Sequence, residues 1–346
     1  MHALAYRGAG TLVLEERPLP VPGAGEAVVH VDACSICGTD LRIAAGSHRA
    51  YPEPNGRVPG HELAGTIAAT GGGVALQEGE RVFIAPNYGC GRCRACRRGQ
   101  VNLCATPRAL GITDDGAFAD YTLLPRGVVD QGNVMPVRGD CDPGAVALVE
   151  PLACVLRGSR ACAIGEGDVV LVFGAGPIGL LHVAVARAAG AAAVIVAEPN
   201  LSRRPRALDW GAASVHGAEL DELRRGLSGA GARDGADAVI VAAPSAAAQR
   251  MALELAAPGG RINFFAGLPC ADSKVELDTN LVHYGELVVT GTTANTNDDC
   301  RAALDLVLEG RIDTASLIDA RFPLDSAAAA FELAGSGRAL KVVIEP

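Results

Sequence analysis

Hydrophobic positions change texture partway along the chain. In the first part they come as short runs, His2–Tyr6, Thr11–Glu16, Ala27–Ala33, Ala64–Ala68 and Glu80–Ala85, divided by turns rich in Gly and Pro. Short strands with frequent turns predict a compact, β-barrel-like first domain. From about residue 160 strand-like and helix-like stretches alternate. Strands are predicted at 169–173, 193–197, 237–242, 261–266 and 286–290, with helical stretches such as Leu180–Ala189 and Ser245–Ala256 between them. That alternation predicts an open parallel sheet with right-handed crossovers. Beyond Gly291, a helix from about Asp298 to Glu309 leads to a last strand, Leu340–Ile344, expected to return to the first domain. The chain carries no internal repeat and no long disordered linker.

The run Val169–Phe173 ends in Gly174-Ala175-Gly176-Pro177-Ile178-Gly179, a helix-compatible stretch follows, and a second apolar run ends at Glu198. Strand, glycine turn, helix and a distal acid, in that order, are what a dinucleotide-binding turn needs. Gly174 permits the tight turn, Gly176 lets a pyrophosphate approach the backbone, and Gly179 lets helix and strand pack closely. The phosphates sit on unpaired N–H groups at the helix start, and Glu198 is placed to accept from a ribose diol. Its charge favours NAD over NADP, while Arg203 and Arg204 just beyond it soften that preference. A bare glycine turn and a membrane span are the rival readings. The uncharged run at 169–186 is broken by Gly and Pro and leads into another strand, which argues against a span.

The 346 residues suit about two domains. A net charge of −9 argues against nucleic acid or an anionic membrane surface as partner. The first eighteen residues lack the layout of a secretory signal, so a cytoplasmic protein is expected. Its eleven cysteines are then poor candidates for a disulfide framework. Cys90, Cys93, Cys96 and Cys104 fall within fifteen residues, interleaved with glycines and flanked by Arg92, Arg94, Arg97 and Arg98. Four soft ligands on one folded-back loop predict a closed, structural zinc site. Cys34, Cys141, Cys154, Cys162, Cys270 and Cys300 show no such pattern and are expected to be packing residues.

Three separated fragments offer a second ligand set: Cys37-Gly-Thr39-Asp40, Gly60-His61-Glu62 and Glu150-Pro-Leu152. Singly, each is an ordinary core or loop feature. Together they supply one thiolate, one imidazole and carboxylates, which suits a zinc with an open position. Thr39 follows Cys37 closely enough for its hydroxyl to reach whatever occupies that position.

On these motifs the chain resembles the zinc-dependent medium-chain dehydrogenase/reductase family, particularly its polyol (sorbitol/iditol-like) dehydrogenase branch, over essentially its full length. The resemblance implies an α/β protein: a GroES-like β-barrel catalytic domain from residues 1–150 and 294–346, with a Rossmann doubly wound parallel sheet, 151–293, between them. It implies NAD and two zinc ions per chain. The catalytic ion is implied on Cys37, His61 and either Glu62 or Glu150, the structural one on Cys90, Cys93, Cys96 and Cys104. Zinc then acts as a Lewis acid on a substrate hydroxyl, Thr39 takes its proton, and hydride passes to the nicotinamide. Glu62 or Glu150 acting as the base through water is the other implied route. Many relatives carry a relay His five residues after the ligand cysteine. This chain has Arg42, which cannot accept a proton and is expected either to bind cofactor ribose or phosphate or to face solvent.

The substrate is expected to be a secondary alcohol of a polyol, cyclitol, aminocyclitol or amino-alcohol. Its pocket is expected near Cys37, His61 and Glu150, with Ser35 and Thr292–Asn295 as candidate contacts and His48 an exposed loop residue. The competing readings are an inactive NAD-binding regulatory or redox-sensing protein on the same fold, a simple-alcohol dehydrogenase, and a zinc-free quinone-reductase type. A homodimer or homotetramer is implied, with the apolar strand near 286–290 pairing across subunits.

Overall fold

The strand Ala27–Ser35 is buried throughout except at the half-buried His30 and Asp32, and a sheet grows on both sides of it. The computed structural model describes residues 1–48, 50–51, 54–269 and 273–346. They divide into two units, Met1–Ala153 with Ala294–Pro346, and Cys154–Thr293. In the first unit the strands run in the order Ile318–Pro323, Lys341–Glu345, Ala27–Ser35, Glu62–Thr70, Arg81–Ile84, Val134–Pro136, and Tyr121–Leu124 also pairs with Ala27–Ser35. The tail thus returns to the first unit, where Ile344 pairs with Cys34 and Val343 with Ser35. Ser35 also stands opposite Glu62. Opposed residues in an antiparallel pair share a face, and so do residues two apart in one strand. Register alone therefore puts Ser35, Glu62, Val343 and Lys341 on one side of the sheet. On the other faces Val29, Val31, Leu63, Ile67, Phe118 and Ile344 form the core of this unit.

The second unit is a six-stranded parallel sheet in the order Ser214–His216, Ala193–Ala197, Val169–Phe173, Ala236–Val241, Ala256–Phe264, Val288–Gly291. Val169–Phe173 and Ala193–Ala197 are buried at every residue, as expected of strands with both faces covered. Several predicted boundaries move. The helix expected from Leu180 begins at Pro177, because proline is preorganised for the first helical position and has no N–H to lose there. The strand expected over 286–290 is Val288–Gly291: Glu286 holds φ 49°, a left-handed turn after the helix Thr279–Tyr284. The helices Val149–Ala161 and Leu220–Gly229 and the edge strand Ser214–His216 had no counterpart in the pattern reading. No described helix is long and apolar enough to cross a membrane.

His182 lies buried on the helix Pro177–Ala188, and neither ring nitrogen has a hydrogen-bond partner among the described residues. Its ring stands edge-on to Phe265 at 4.7 Å. Burial lowers its pKa from 6.5 to about 3. Below about pH 6.5 the unfolded chain therefore takes up a proton that the folded chain refuses, and stability falls progressively toward pH 3. Between pH 7 and pH 5 the expected loss from this residue is about 2 kcal/mol. His182→Leu should remove that part of the acid sensitivity. Denaturant midpoints at the two pH values check it; an equal drop in both proteins would assign the acid sensitivity elsewhere.

Candidate active site

The glycine turn adopts the geometry the sequence implied. Gly174 has φ 104°, Gly176 caps the helix, and a Cβ on Gly179 would lie 1.9 Å from the Gly174 carbonyl oxygen, so only glycine fits there. A Cβ on Gly176 would meet no atom closer than an Arg203 guanidinium nitrogen at 4.0 Å. That leaves open space beside free helix-start N–H groups, a cradle for phosphate. Pro177 and Ile178 are half-buried over this turn. Glu198 is buried and anchored: Oε2 accepts from Ala175 N–H at 2.7 Å and Oε1 from Asn200 N–H at 2.8 Å. Each oxygen keeps a lone pair for a ribose hydroxyl. Arg204 donates to the Glu198 carbonyl at 2.8 Å and so does not neutralise the carboxylate.

The ligand atoms of Cys90, Cys93, Cys96 and Cys104 all lie within 4.8 Å of one another. Cys93 Sγ is 3.5 Å from Cys96 Sγ and 3.8 Å from Cys104 Sγ. A disulfide would need about 2.05 Å. A tetrahedron with metal–sulfur bonds of about 2.3 Å has edges of about 3.8 Å. The cluster fits one zinc ion and no cystine. Backbone N–H groups of Cys90, Cys96 and Thr106 donate to these sulfurs. Hydrogen bonds from the Cys96 and Ala105 backbone pull the Cys93 thiol down to about 6, while burial and the neighbouring sulfurs push Cys96 up to about 12. Packed thiols resist ionising together, and a dication removes that resistance.

Cys37, His61 and Glu62 form the second group, again with ligand atoms within 4.8 Å of one another. Residues 24 and 25 positions apart meet because Cys37 caps the short helix Gly38–Ala44 while His61 enters the strand Glu62–Thr70. Asp40 joins them. It is fully buried, accepts from Cys37 N–H at 2.9 Å and Gly60 N–H at 3.2 Å, and its Oδ1 lies 3.4 Å from His61 Nδ1. Gly60 is required at this join: φ is 99°, and a Cβ would come within 2.9 Å of Cys34 Sγ. His61 Nδ1 makes no hydrogen bond among the described residues, so Asp40 acts on the ring by charge at 3.4 Å. Burial by itself lowers the His61 pKa, yet Asp40 and Cys37 carry it well above 6.5. Such a site seeks a cation.

The two candidate acids are held in different ways. Lys341, itself buried, donates to Glu62 Oε1 at 2.7 Å and Oε2 at 2.5 Å. Burial opposes the lysine charge, but Glu62, Cys37 and Glu150 raise its pKa above the ordinary value. Glu150, on the helix Val149–Ala161, accepts at Oε1 from Asn295 Nδ2 at 2.7 Å. Burial pushes its carboxyl up, with His61 pulling it down and Glu62 adding to the rise. Cys37, Glu62 and Glu150 thus act on one ammonium, an excess of acidic groups that a divalent ion offsets. The donor set fits zinc: one soft thiolate, one imidazole, and oxygens.

Residues 23–139 match the alcohol dehydrogenase GroES-like domain, and residues 177–309 the zinc-binding dehydrogenase domain. The L-threonine 3-dehydrogenase of Saccharopolyspora erythraea is 33% identical over 338 residues, which cover 96% of this chain and 95% of that one. The D-altritol 5-dehydrogenase of Agrobacterium fabrum is 34% identical, over 94% of this chain and 93% of its own. The chain belongs to the zinc-dependent medium-chain dehydrogenase/reductase family. A zinc-binding dehydrogenase of Sinorhizobium meliloti 1021 bound to NADP superposes with a TM-score of 0.90 at 33% identity, covering 100% of this chain and 99% of that one. The protein is therefore a zinc-dependent alcohol oxidoreductase with an α/β fold that joins a GroES-like barrel to a Rossmann sheet.

In this dehydrogenase Arg42 is exposed to solvent, as one of its two expected placements had it. Its guanidinium donates to Thr39 Oγ1 at 2.9 Å. Ser35 is fully buried with no partner for its hydroxyl among the described residues, on the sheet face of Glu62 and Lys341. His48 is half-buried, accepting from Ala50 N–H at 3.2 Å and lying 6.3 Å from the Tyr51 ring, rather than exposed. Thr292 donates to Asn263 Oδ1, and Asn295 is fully buried. Cys34, Cys162 and Cys300 pack in the interior, Cys141 and Cys154 are half-buried, and Cys270 lies outside the described residues.

Asp40 and Lys341 are the site residues that the sequence reading passed over. Asp40 had a signal: an acid three residues after a helix cap is capping-box spacing. Lys341 had none, because its partner is 279 residues away.

Proposed function

We propose that this enzyme oxidises a secondary alcohol of a polyol, cyclitol, aminocyclitol or amino-alcohol, using NAD in preference to NADP. The observation that carries the chemistry is the meeting of Cys37, His61 and Glu62 ligand atoms; Glu150 lies outside that group but close enough for His61 and Glu62 to act on its charge. Cys37 and His61 hold the catalytic zinc with oxygen from Glu62 or Glu150, and Asp40 holds the backbone at Cys37 and beside His61. Bound zinc supplies Lewis acidity to the substrate oxygen, and the nicotinamide supplies the hydride acceptor. Thr39 Oγ1 takes the hydroxyl proton. Arg42 occupies one lone pair of that oxygen and leaves the other to receive it, and the proton already on Thr39 departs to water or ribose because a guanidinium cannot accept it. Cys90, Cys93, Cys96 and Cys104 hold a structural zinc. Met1–Ala153 with Ala294–Pro346 serves as the catalytic domain and Cys154–Thr293 as the dinucleotide domain.

Support for the substrate class is the likeness to enzymes of altritol and threonine. A panel of polyols, cyclitols, amino-alcohols and simple alcohols, assayed with NAD and zinc, tests it. Expected is a kcat/KM at least about tenfold higher for a substrate with a vicinal hydroxyl or amino group, about 1.4 kcal/mol of extra transition-state binding. Preference for 2-propanol would overturn it. For the cofactor, the Glu198 carboxylate, together with Gly174, Gly176, Pro177, Ile178, Gly179 and Arg203, forms the reading surface. Glu198→Ala removes a repulsion on the order of 1–2 kcal/mol toward a 2′-phosphate and should narrow the NAD/NADP ratio of kcat/KM about tenfold. Equal use of the two by the unmodified enzyme would refute the ribose-carboxylate assignment.

The enzyme acts as a cytoplasmic homo-oligomer in this reading. The edge strand Val288–Gly291, with Val288 51% exposed, is the surface offered for pairing.

A further inference from the structure

We propose that Asn295 is a positioning residue that fixes the Glu150 carboxylate beside the catalytic cation, through an amide whose four hydrogen-bonding positions are all engaged. This rests on the zinc site proposed above. Asn295 is fully buried. Its Nδ2 donates to Glu150 Oε1 at 2.7 Å and to the Glu150 carbonyl at 3.2 Å. Its Oδ1 accepts from Asn87 Nδ2 at 3.0 Å and from the Cys300 thiol at 3.5 Å. A primary amide has two donors and two lone pairs, so this one is saturated. Flipping it would set the amide nitrogen against the Asn87 donor and the oxygen against the Glu150 carboxylate. The side chain therefore has one orientation.

The surroundings fix it further. Asn87 is held in turn by Asn133, whose Nδ2 donates to the carbonyls of Ala85 and Asn87, and Asn133 Oδ1 accepts from Asn297. Asn295 itself sits one residue before Thr296, which caps the helix Asn297–Leu308 with a capping box to Asp299. The residue before it, Ala294, takes a left-handed φ of 51°, disfavoured for a side chain with a Cβ. A strained backbone preceding a saturated amide marks a position whose direction matters.

The consequence lies in the contrast between the acids. Lys341 meets Glu62 with a full positive charge at both oxygens. Asn295 gives Glu150 direction from a neutral donor, and so leaves its negative charge to act on the cation. Removal of a group that orients a metal-site carboxylate typically costs 10–100-fold in metal affinity.

The test uses the full-length holoenzyme and two readouts: release of the catalytic zinc to a chelator, and the visible absorption of the protein with Co(II) at the catalytic position. Asn295→Ala is expected to speed catalytic zinc release about 10–100-fold and to shift the Co(II) bands. The structural zinc should leave at its unmodified rate. Unchanged release and bands in a folded Asn295→Ala protein would overturn the proposal. Should that variant fail to fold, Asn87→Ala, which removes only one donor to Asn295 Oδ1, must move both readouts the same way, and no movement overturns the proposal equally. Glu150→Gln separates the two levels. If it too leaves both readouts unchanged, the placement of Glu150 at the zinc site falls. If it shifts them while Asn295→Ala does not, only the role of Asn295 falls.

Discussion

Cys37→Ala will leave one zinc ion per chain where the unmodified enzyme carries two, and turnover will fall by about a thousandfold or more. Zinc is lost because the remaining partners are an imidazole and carboxylates, one of them engaged by Lys341, and no second soft donor lies in the group. Turnover is lost because the polarisation of the substrate oxygen is worth several kcal/mol, and each 1.4 kcal/mol is a factor of ten. The retained ion belongs to the loop of four cysteines, whose sulfurs touch one another and not Cys37. Metal analysis alongside steady-state kinetics gives the answer. Two zinc ions retained, or activity undiminished, defeats the catalytic-zinc assignment.

Lys341→Met will destabilise the metal-free protein far more than the zinc-loaded one. Lys341 and Glu62 are both almost wholly buried, and both carboxylate oxygens meet the ammonium. Removing one partner of a buried pair leaves an uncompensated charge, at a cost of about 3–5 kcal/mol. In the zinc-loaded protein the dication faces the same carboxylate and offsets part of that loss. Thermal unfolding of both proteins, with and without exhaustive chelation, measures the difference. The structural zinc leaves both chelated proteins alike and cancels. An identical loss in the two metal states would show that Glu62 does not respond to the ion.

How far the site was legible in the sequence depended on how local its parts are. Four thiols within fifteen residues can only wrap around a common point, and the spacing sufficed to foresee their use. The glycine turn is equally local: strand, turn and helix are contiguous, and a Cβ at Gly179 has nowhere to go. Cys37 and His61 were legible as ligand types, and Asp40, which ties the two segments together, sat unread inside the same short motif. Thr39 was legible as a hydroxyl near the site, but the tie from Arg42 was not, since the helix Gly38–Ala44 had not been placed. Ser35 and Asn295, the candidate polar contacts, are both fully buried, as Glu62 nearly is. Polarity alone does not tell an anchor from a pocket wall: Asn295 holds Glu150, and Ser35 shares the sheet face of Glu62.

What the sequence by itself determined was the class of chemistry: which side chains bear ligand atoms, where a phosphate meets a helix start, and which half alternates strand with helix. These follow from residue type and short-range chain geometry. What only the tertiary structure decided was the partnership of each acid, Glu62 with a lysine 279 residues on and Glu150 with an asparagine 145 residues on. The first pairing is set by strand register and by where the tail re-enters the first sheet, and a shift of one residue would turn either side chain to the opposite face; the second joins the helix Val149–Ala161 to the residue before the Thr296 cap.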